Sequence, residues 1–160
     1  MRSRAPRGGA DRRPQKSGAR WTARGSERND AQAFAERTDS SAGEVLELWR
    51  ASAAVEPWTG PPLWLHGDLH PSNLLTRSGK LTAVLDFGDL TAGDPATDLA
   101  IAWLMFDKTG RARFRGELDY DDATWQRAVG WTIIFGSLAI GGDAAFRRFG
   151  RDALREVLVS

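Results

Sequence analysis

Carboxylate, amide and imidazole side chains are concentrated in two short stretches of the chain. The first is LHGDLHPSN (residues 65–73) and the second is LDFGD (residues 85–89). Phosphoryl transfer to an alcohol requires a carboxylate near the acceptor hydroxyl, together with oxygen ligands for the Mg²⁺ that neutralises the phosphates. Asp68, Asn73 and Asp86 are residues of these types. The two stretches are therefore the first candidates for an active site.

The spacing within these stretches is that of a protein-kinase catalytic loop and the metal-binding triplet that follows it. His66 and Asp68 form the H-x-D pair, and Asn73 follows Asp68 after four intervening residues. Asp86-Phe87-Gly88 comes one predicted hairpin later. A D-F-G triplet alone is weak evidence for a kinase-like site, but both elements in this order are strong evidence for one.

At these residues the sequence resembles the aminoglycoside phosphotransferase family, which is related to choline kinases and protein kinases. Gly67 stands where protein kinases have Arg, and the likeness continues through GDPATDLA (residues 93–100) and, more loosely, over residues 43–160. The resemblance implies an α+β fold that is mostly helical, a partial kinase-like C-terminal lobe around a small catalytic β-hairpin. It also implies ATP-dependent phosphorylation of a small-molecule hydroxyl, as in antibiotic resistance or metabolite kinases.

The resemblance also assigns a role to each matching residue. Asp68 would be catalytic, accepting the proton of the substrate hydroxyl or orienting that hydroxyl, and His66 would brace the loop. Asn73 and Asp86 would hold Mg²⁺, because this hard cation prefers oxygen ligands. Asp98 would support the loop by hydrogen bonding to its backbone from the following helix. ATP would be the co-substrate.

Two other interpretations of the same stretch stay open. His66, Asp68 and His70 alternate, so on an extended strand they would point to one side and could form the zinc triad of a metal hydrolase. Pro71 and the D-F-G triplet suit the kinase loop and have no role in a zinc site. The second alternative is a non-catalytic binding module derived from the phosphotransferase fold.

Short apolar runs predict the strands that carry this site. Leu63–Leu65 precedes His66 directly, and Asn73–Leu75 and Leu81–Leu85 predict a hairpin closed by Arg77–Lys80. Asp86 would therefore follow the second hairpin strand.

Helices are predicted on both sides of the site. A capping box at Ser41 and Glu44 begins a helix that ends before Pro57, and Asp94 caps a second helix. Two more run from about Asp121 or Asp122 toward Gly141 and from Ala144 to Val159. The predicted inward-facing residues of the four helices are Val45, Leu48, Trp49; Leu99, Ala102, Trp103, Phe106; Trp125, Val129, Ile133; and Phe146, Phe149, Leu154, Leu158.

Charge divides the chain into two unlike parts. Residues 1–40 carry ten basic and five acidic side chains, whereas residues 41–160 carry twelve and sixteen, giving the overall net charge of +1. With few large apolar residues, residues 1–40 predict a disordered basic tail, and residues 41–160 a truncated kinase-like lobe. The near-zero net charge does not indicate a nucleic-acid partner.

Composition and the length of uncharged runs exclude several classes of protein. There is no cysteine, which excludes thiol catalysis and Cys-ligated zinc, and the longest uncharged run, 15 residues, is too short to cross a membrane. A cytoplasmic protein is expected. The lobe that clamps ATP in the family is not recognised before His66. The sequence therefore predicts a fragment, through truncation or frameshift, that turns over poorly, and self-association through the surface that the missing lobe would cover.

Overall fold

The computed structural model describes residues 42–159. Within this part of the chain six helices and four short strands alternate with loops, and two single 3₁₀ turns lie at Pro71–Asn73 and Phe87–Asp89. The mostly helical α+β fold that the sequence predicts is confirmed. The helices are α1 (Ala42–Ala53), α2 (Ala96–Leu99), α3 (Ile101–Met105), α4 (Lys108–Gly116), α5 (Asp122–Ile140) and α6 (Ala144–Leu158), and the strands are β1 (Leu63–Leu65), β2 (Leu74–Arg77), β3 (Lys80–Val84) and β4 (Thr91–Gly93).

The strands form two separate antiparallel pairs. β2 and β3 are the predicted hairpin, with Arg77 opposite Lys80, so the turn itself is only Ser78-Gly79. β1 pairs with β4, a strand that the sequence analysis missed because three residues are too few to show an alternating pattern. Asn73 was predicted in a strand and lies instead in the preceding 3₁₀ turn.

Helix α5 forms the centre of the hydrophobic core. Its residues Trp125, Val129 and Ile133 are buried, and α1 and α6 pack against it. At the contact between α5 and α6, a Cβ on Gly150 would lie closer than 3.0 Å to the carbonyl oxygen of Gly136. The two helices therefore approach closely because neither glycine has a side chain.

The segment between the second candidate stretch, residues 85–89, and α5 differs from the prediction. The helix expected after Asp94 is divided at Ala100 into α2 and α3, and Phe106 lies beyond the end of α3, only partly buried. Helix α4 was not predicted, because its one buried residue is Arg111 and it has no apolar stripe. The side chain of Asp107 caps it by accepting a hydrogen bond from Gly110 N at 2.8 Å.

Most of the remaining helix predictions are confirmed. In α6, Leu154 is buried and Phe149 and Leu158 are partly buried, but the prediction for Phe146 is wrong, since it is 45% exposed. No helix among residues 42–159 combines the length and apolarity needed to span a membrane. The Ser41 cap and the predicted tail, residues 1–40, lie outside the described residues.

Candidate active site

The loop that carries the candidate catalytic residues, residues 66–73, begins where β1 ends. Its first two backbone N–H groups donate to one carboxylate on α2: His66 N to Asp98 Oδ2 at 2.6 Å and Gly67 N to Asp98 Oδ1 at 3.0 Å. Hydrogen bonds to an ionised acceptor are about twice as strong as neutral ones. Asp98 therefore fixes the start of the loop, 31 residues away in the sequence.

The imidazole of His66 is buried and has both ring nitrogens engaged. Nδ1 accepts a hydrogen bond from Asp68 N at 3.3 Å, so Nε2 carries the proton and donates to Leu85 O at 2.7 Å. The Phe87 ring packs against it, with centroids 4.8 Å apart. Because Leu85 directly precedes Asp86, this side chain connects the loop to the segment that carries the second candidate carboxylate.

Gly67 has a backbone conformation and a location that no other residue can share without strain. Its φ is +86°, and a Cβ would lie closer than 3.0 Å to the carbonyl oxygen of Asp89. The loop and the segment after Phe87 therefore touch backbone to backbone at this point. The structure gives a physical reason for glycine at a position where protein kinases have Arg.

Asp68 is the single acidic residue of the loop. Its side chain is 42% exposed, and Oδ2 lies 3.5 Å from Nε2 of His70. The backbone on both sides of this carboxylate is fixed, because Asp68 N is held by His66 and Asp68 O accepts from Asn73 Nδ2 at 2.9 Å. Asp68 thus combines an anchored backbone with a carboxylate that solvent or a substrate can reach.

Asn73 directly precedes β2 and Asp86 follows β3 by two residues, so both lie at the open end of the hairpin. Leu85 N donates to Asn73 O at 2.8 Å, which places Asp86 one residue beyond this pairing. The Asn73 amide uses its nitrogen to bond Asp68 O and so retains its oxygen for a ligand. Asp86, at a left-handed φ of 59°, makes no capping bond with its carboxylate to the following turn.

These two side chains fit Mg²⁺ by their donor chemistry. Mg²⁺ prefers oxygen ligands and is usually bound through one or two carboxylates together with phosphates and water. One carboxylate from Asp86 and one amide oxygen from Asn73 match that requirement. Within residues 42–159 no three His, Asp or Glu side chains converge to hold a metal ion, so a cation site here needs additional ligands from a substrate or water.

The zinc alternative is wrong for the described chain. His66 has no free ring nitrogen, since both are used in hydrogen bonds within the loop. His70 uses Nδ1 to accept from Ser72 N at 3.3 Å and packs against Phe146 and Phe149. The alternation that would place His66, Asp68 and His70 on one side of a strand does not apply, because the loop is not extended.

Sequence analysis missed one residue that the structure connects to this loop, Arg127 on α5. Its guanidinium, 8% exposed, binds the carboxylate of Asp94, which in turn caps α2 through Ala96 N at 3.0 Å. The cap by Asp94 was predicted and is confirmed. A signal for Arg127 existed: it directly precedes the 15-residue uncharged run, and a charge on a helix that is apolar on all sides must be buried with a partner.

Comparison with known proteins agrees with the geometry of the loop. The model of the phosphotransferase enzyme family (APH) matches residues 3–131. The chain belongs to this family. The matched range includes residues 3–41, which precede the described part and overlap the predicted tail.

Part of this phosphotransferase family member is also similar to a curated protein. The uncharacterized protein YcbJ of Bacillus subtilis (strain 168) is 35% identical to it over 66 residues. Those residues are 41% of this chain and 21% of YcbJ, so the match covers about a fifth of the relative's length.

Proposed function

We propose that the chain carries the acceptor side of a Mg²⁺-dependent phosphotransferase site, which transfers the γ-phosphoryl group of ATP to a hydroxyl of a small molecule. The observation that carries the proposal is the anchoring of Asp68: its backbone N–H donates to the His66 imidazole and its backbone carbonyl accepts from the Asn73 amide, while its side chain stays 42% exposed. Family membership supports the reaction class. An aminoglycoside or a related alcohol is the proposed acceptor.

In this mechanism Asp68 accepts a hydrogen bond from the substrate hydroxyl and orients its oxygen toward the γ-phosphorus. It takes the hydroxyl proton as the new oxygen–phosphorus bond forms and the bond from that phosphorus to the departing ADP oxygen breaks. His66 and Asp98 are positioning residues, since they hold the loop and have no free polar atom facing a substrate. Asn73 and Asp86 would hold Mg²⁺ through oxygen atoms. When bound, Mg²⁺ would neutralise charge on the phosphates.

Slow turnover is the expected behaviour of this chain. Positioning and charge stabilisation of the triphosphate supply most of the rate in phosphoryl transfer. The residues proposed for the site within 42–159 are one acceptor carboxylate and two metal ligands, and none of them is proposed to clamp the phosphates. The cytoplasmic location also remains a prediction.

The test measures transfer of the ³²P label from γ-labelled ATP to a panel of aminoglycosides and sugar alcohols, with Mg²⁺ present. Asp68→Asn and Asp86→Asn are expected to abolish any labelled product. Asp119→Asn is the matched control, because Asp119 is an exposed aspartate in the turn before α5. Transfer that survives the Asp68→Asn and Asp86→Asn changes together would overturn the site assignment.

Metal binding is tested separately with Mn²⁺ as the probe. Paramagnetic broadening by Mn²⁺ of NMR signals near Asn73 and Asp86 is expected in the unmodified chain and in Asp119→Asn. It is expected to disappear in Asp86→Asn. Equal broadening in all three proteins would contradict the proposed cation ligands without depending on catalytic activity.

Exposed apolar residues favour a second candidate function, a non-catalytic binding module that associates with another copy of the chain. Six of the ten large apolar residues that are exposed among residues 42–159 lie between residues 64 and 90, and Trp64 is 79% exposed. Contiguous exposed apolar patches mark interaction sites, and we propose that these residues contribute to one. The six are Trp64, Leu75, Leu81, Leu85, Phe87 and Leu90.

Sedimentation equilibrium tests this candidate. A second copy as partner predicts a mass that rises with protein concentration and returns to the monomer value in Trp64→Ser, while Leu138→Ser, a control at a 63% exposed leucine on α5, has no effect. A constant monomer mass for the unmodified chain would exclude self-association.

A further inference from the structure

Arg127 is a buried cation whose guanidinium donates hydrogen bonds to three separate parts of the chain. Nε donates to Asp94 Oδ2 at 2.7 Å, and Nη2 donates to Asp94 Oδ1 at 3.3 Å and to Thr124 Oγ1 at 3.0 Å. Nη1 donates to Glu56 O at 3.1 Å. The guanidinium therefore joins α5, the loop after α1 and the segment before α2.

Asp94 connects Arg127 to the helix that holds the start of the loop. Its Oδ1 accepts from Ala96 N at 3.0 Å and so fixes the first turn of α2, the four-residue helix that carries Asp98. Asp98 in turn holds the backbone N–H groups of His66 and Gly67. A series of hydrogen bonds, linked through the backbone of α2 between Ala96 and Asp98, thus runs from Arg127 on the central helix to the start of the loop.

We propose that Arg127 is a positioning residue for the loop that carries Asp68, acting through Asp94 and α2. The inference concerns the geometry of the loop, and it rests on the proposed function only where that geometry is said to serve catalysis. A helix of four residues contributes little rigidity of its own, because helix formation becomes favourable only over many more residues. The placement of Asp98 then depends on what holds the ends of α2.

Arginine is required at this position by the number and direction of its bonds. The planar guanidinium holds both oxygens of one carboxylate with two donors and still has a nitrogen for a carbonyl on the other side. A lysine ammonium is a single point donor and cannot span Asp94 and Glu56 with fixed geometry. Arg127→Lys is therefore expected to keep the charge and weaken the positioning.

The chain offers a matched control in a second buried arginine. Arg111 is 4% exposed and also binds a carboxylate and a carbonyl, since Nη1 donates to Glu156 Oε2 at 3.0 Å and to Phe106 O at 3.2 Å. These partners lie on α6 and directly after α3, and within residues 42–159 Arg111 makes no hydrogen bond to Asp94 or to the loop. Replacing either arginine removes a buried ion pair. Only the replacement of Arg127 removes a member of the series of hydrogen bonds that ends at His66.

The experiment is amide hydrogen exchange, followed by mass spectrometry, on the full chain and on Arg127→Met, Arg127→Lys and Arg111→Met. The readout is exchange in residues 63–70 relative to exchange in residues 130–140 of α5, so that a general loss of stability affects both segments and cancels. This reference segment contains neither arginine and none of Asp94, Glu56 and Glu156. Arg127→Met is expected to raise this ratio by at least about tenfold, because the His66 and Gly67 amides lose a well-placed charged acceptor. Arg127→Lys is expected to give a smaller rise, and Arg111→Met none.

Two results would overturn the inference. One is an unchanged ratio in Arg127→Met, and the other is an equal rise in Arg111→Met, which would show that any buried ion pair has this effect. Asp94→Asn should reproduce the rise without adding to it in the double variant, because both residues act in one series. Where transfer activity is measurable, Arg127→Lys should lower kcat with KM for ATP unchanged.

The exchange readout requires no catalysis. An inactive chain that shows the expected exchange pattern would therefore remove the proposed function and leave the positioning role of Arg127 in place.

Discussion

Replacement of Gly67 by alanine tests whether the loop is held against the segment after Phe87. Gly67 has φ +86°, and its added Cβ would lie closer than 3.0 Å to Asp89 O, a backbone atom that has no rotamer to change. Gly79 in the hairpin turn is the matched control. Its φ is +74°, and a Cβ there meets nothing within 4 Å.

The two substitutions share one cost and differ in another. A left-handed conformation costs an alanine about 1–2 kcal/mol, and Gly79→Ala should lose about this much free energy of unfolding. In Gly67→Ala the backbone must also move away from Asp89, which breaks the hydrogen bond to Asp98, worth about 1.5–3 kcal/mol because its acceptor is charged. The expected total is about 2.5–5 kcal/mol, a large part of the stability of a typical domain.

Urea unfolding followed by tryptophan fluorescence measures both losses. With a slope of about 2 kcal/mol per M, the midpoint should fall by about 0.5–1 M in Gly79→Ala and by about 1.2–2.5 M in Gly67→Ala. Equal midpoints for the two variants would refute the argument. It would mean that the close approach between Gly67 and Asp89 is not a feature of the folded protein.

Three further substitutions test other parts of the fold. Hydrogen bonds from Thr124 lower the pKa of Asp121 below its ordinary value of 3.8, so its stabilising effect is complete above that pH and is lost as the pH falls through the lowered value. Asp121→Ala should therefore lower the thermal midpoint at about pH 7 and have little effect at about pH 2; an equal decrease at both would contradict this. Gly150→Ala should cost about 1–3 kcal/mol in urea unfolding because its Cβ meets Gly136 O, and a smaller loss would show that α5 and α6 can separate easily. Gly43→Ala, exposed on α1 with nothing within 4 Å, should instead stabilise by about 0.4–1 kcal/mol; a loss would show that the site is not a regular helix position.

Elements with strong local signals were predicted well. Helix α5 begins at Asp122 beside the side-chain cap of Asp121, as its sequence indicates, and the β2–β3 hairpin closes at Ser78-Gly79. These features depend on residues within a few positions of one another. Local backbone preferences and caps are sufficient to specify them.

Elements without a local signal were missed. β4 has three residues and is a strand only because β1 lies beside it, and α4 has one buried residue, Arg111, instead of an apolar stripe. The prediction that Phe146 faces the core was wrong for a related reason. Apolar periodicity shows which residues can face a core, whereas the neighbours that cover them come from distant parts of the chain.

The sequence by itself determined the chemistry available to this phosphotransferase family member: Asp68, Asn73 and Asp86 at kinase-like spacing, on a loop and a hairpin that local patterns predict. Only the tertiary structure decided how that loop is held. The proton position on His66, the need for glycine at residue 67, and the ion pair of Arg127 with Asp94 all depend on partners 19 to 33 residues away or on backbone contact. Such partners are set by packing, which no local pattern specifies.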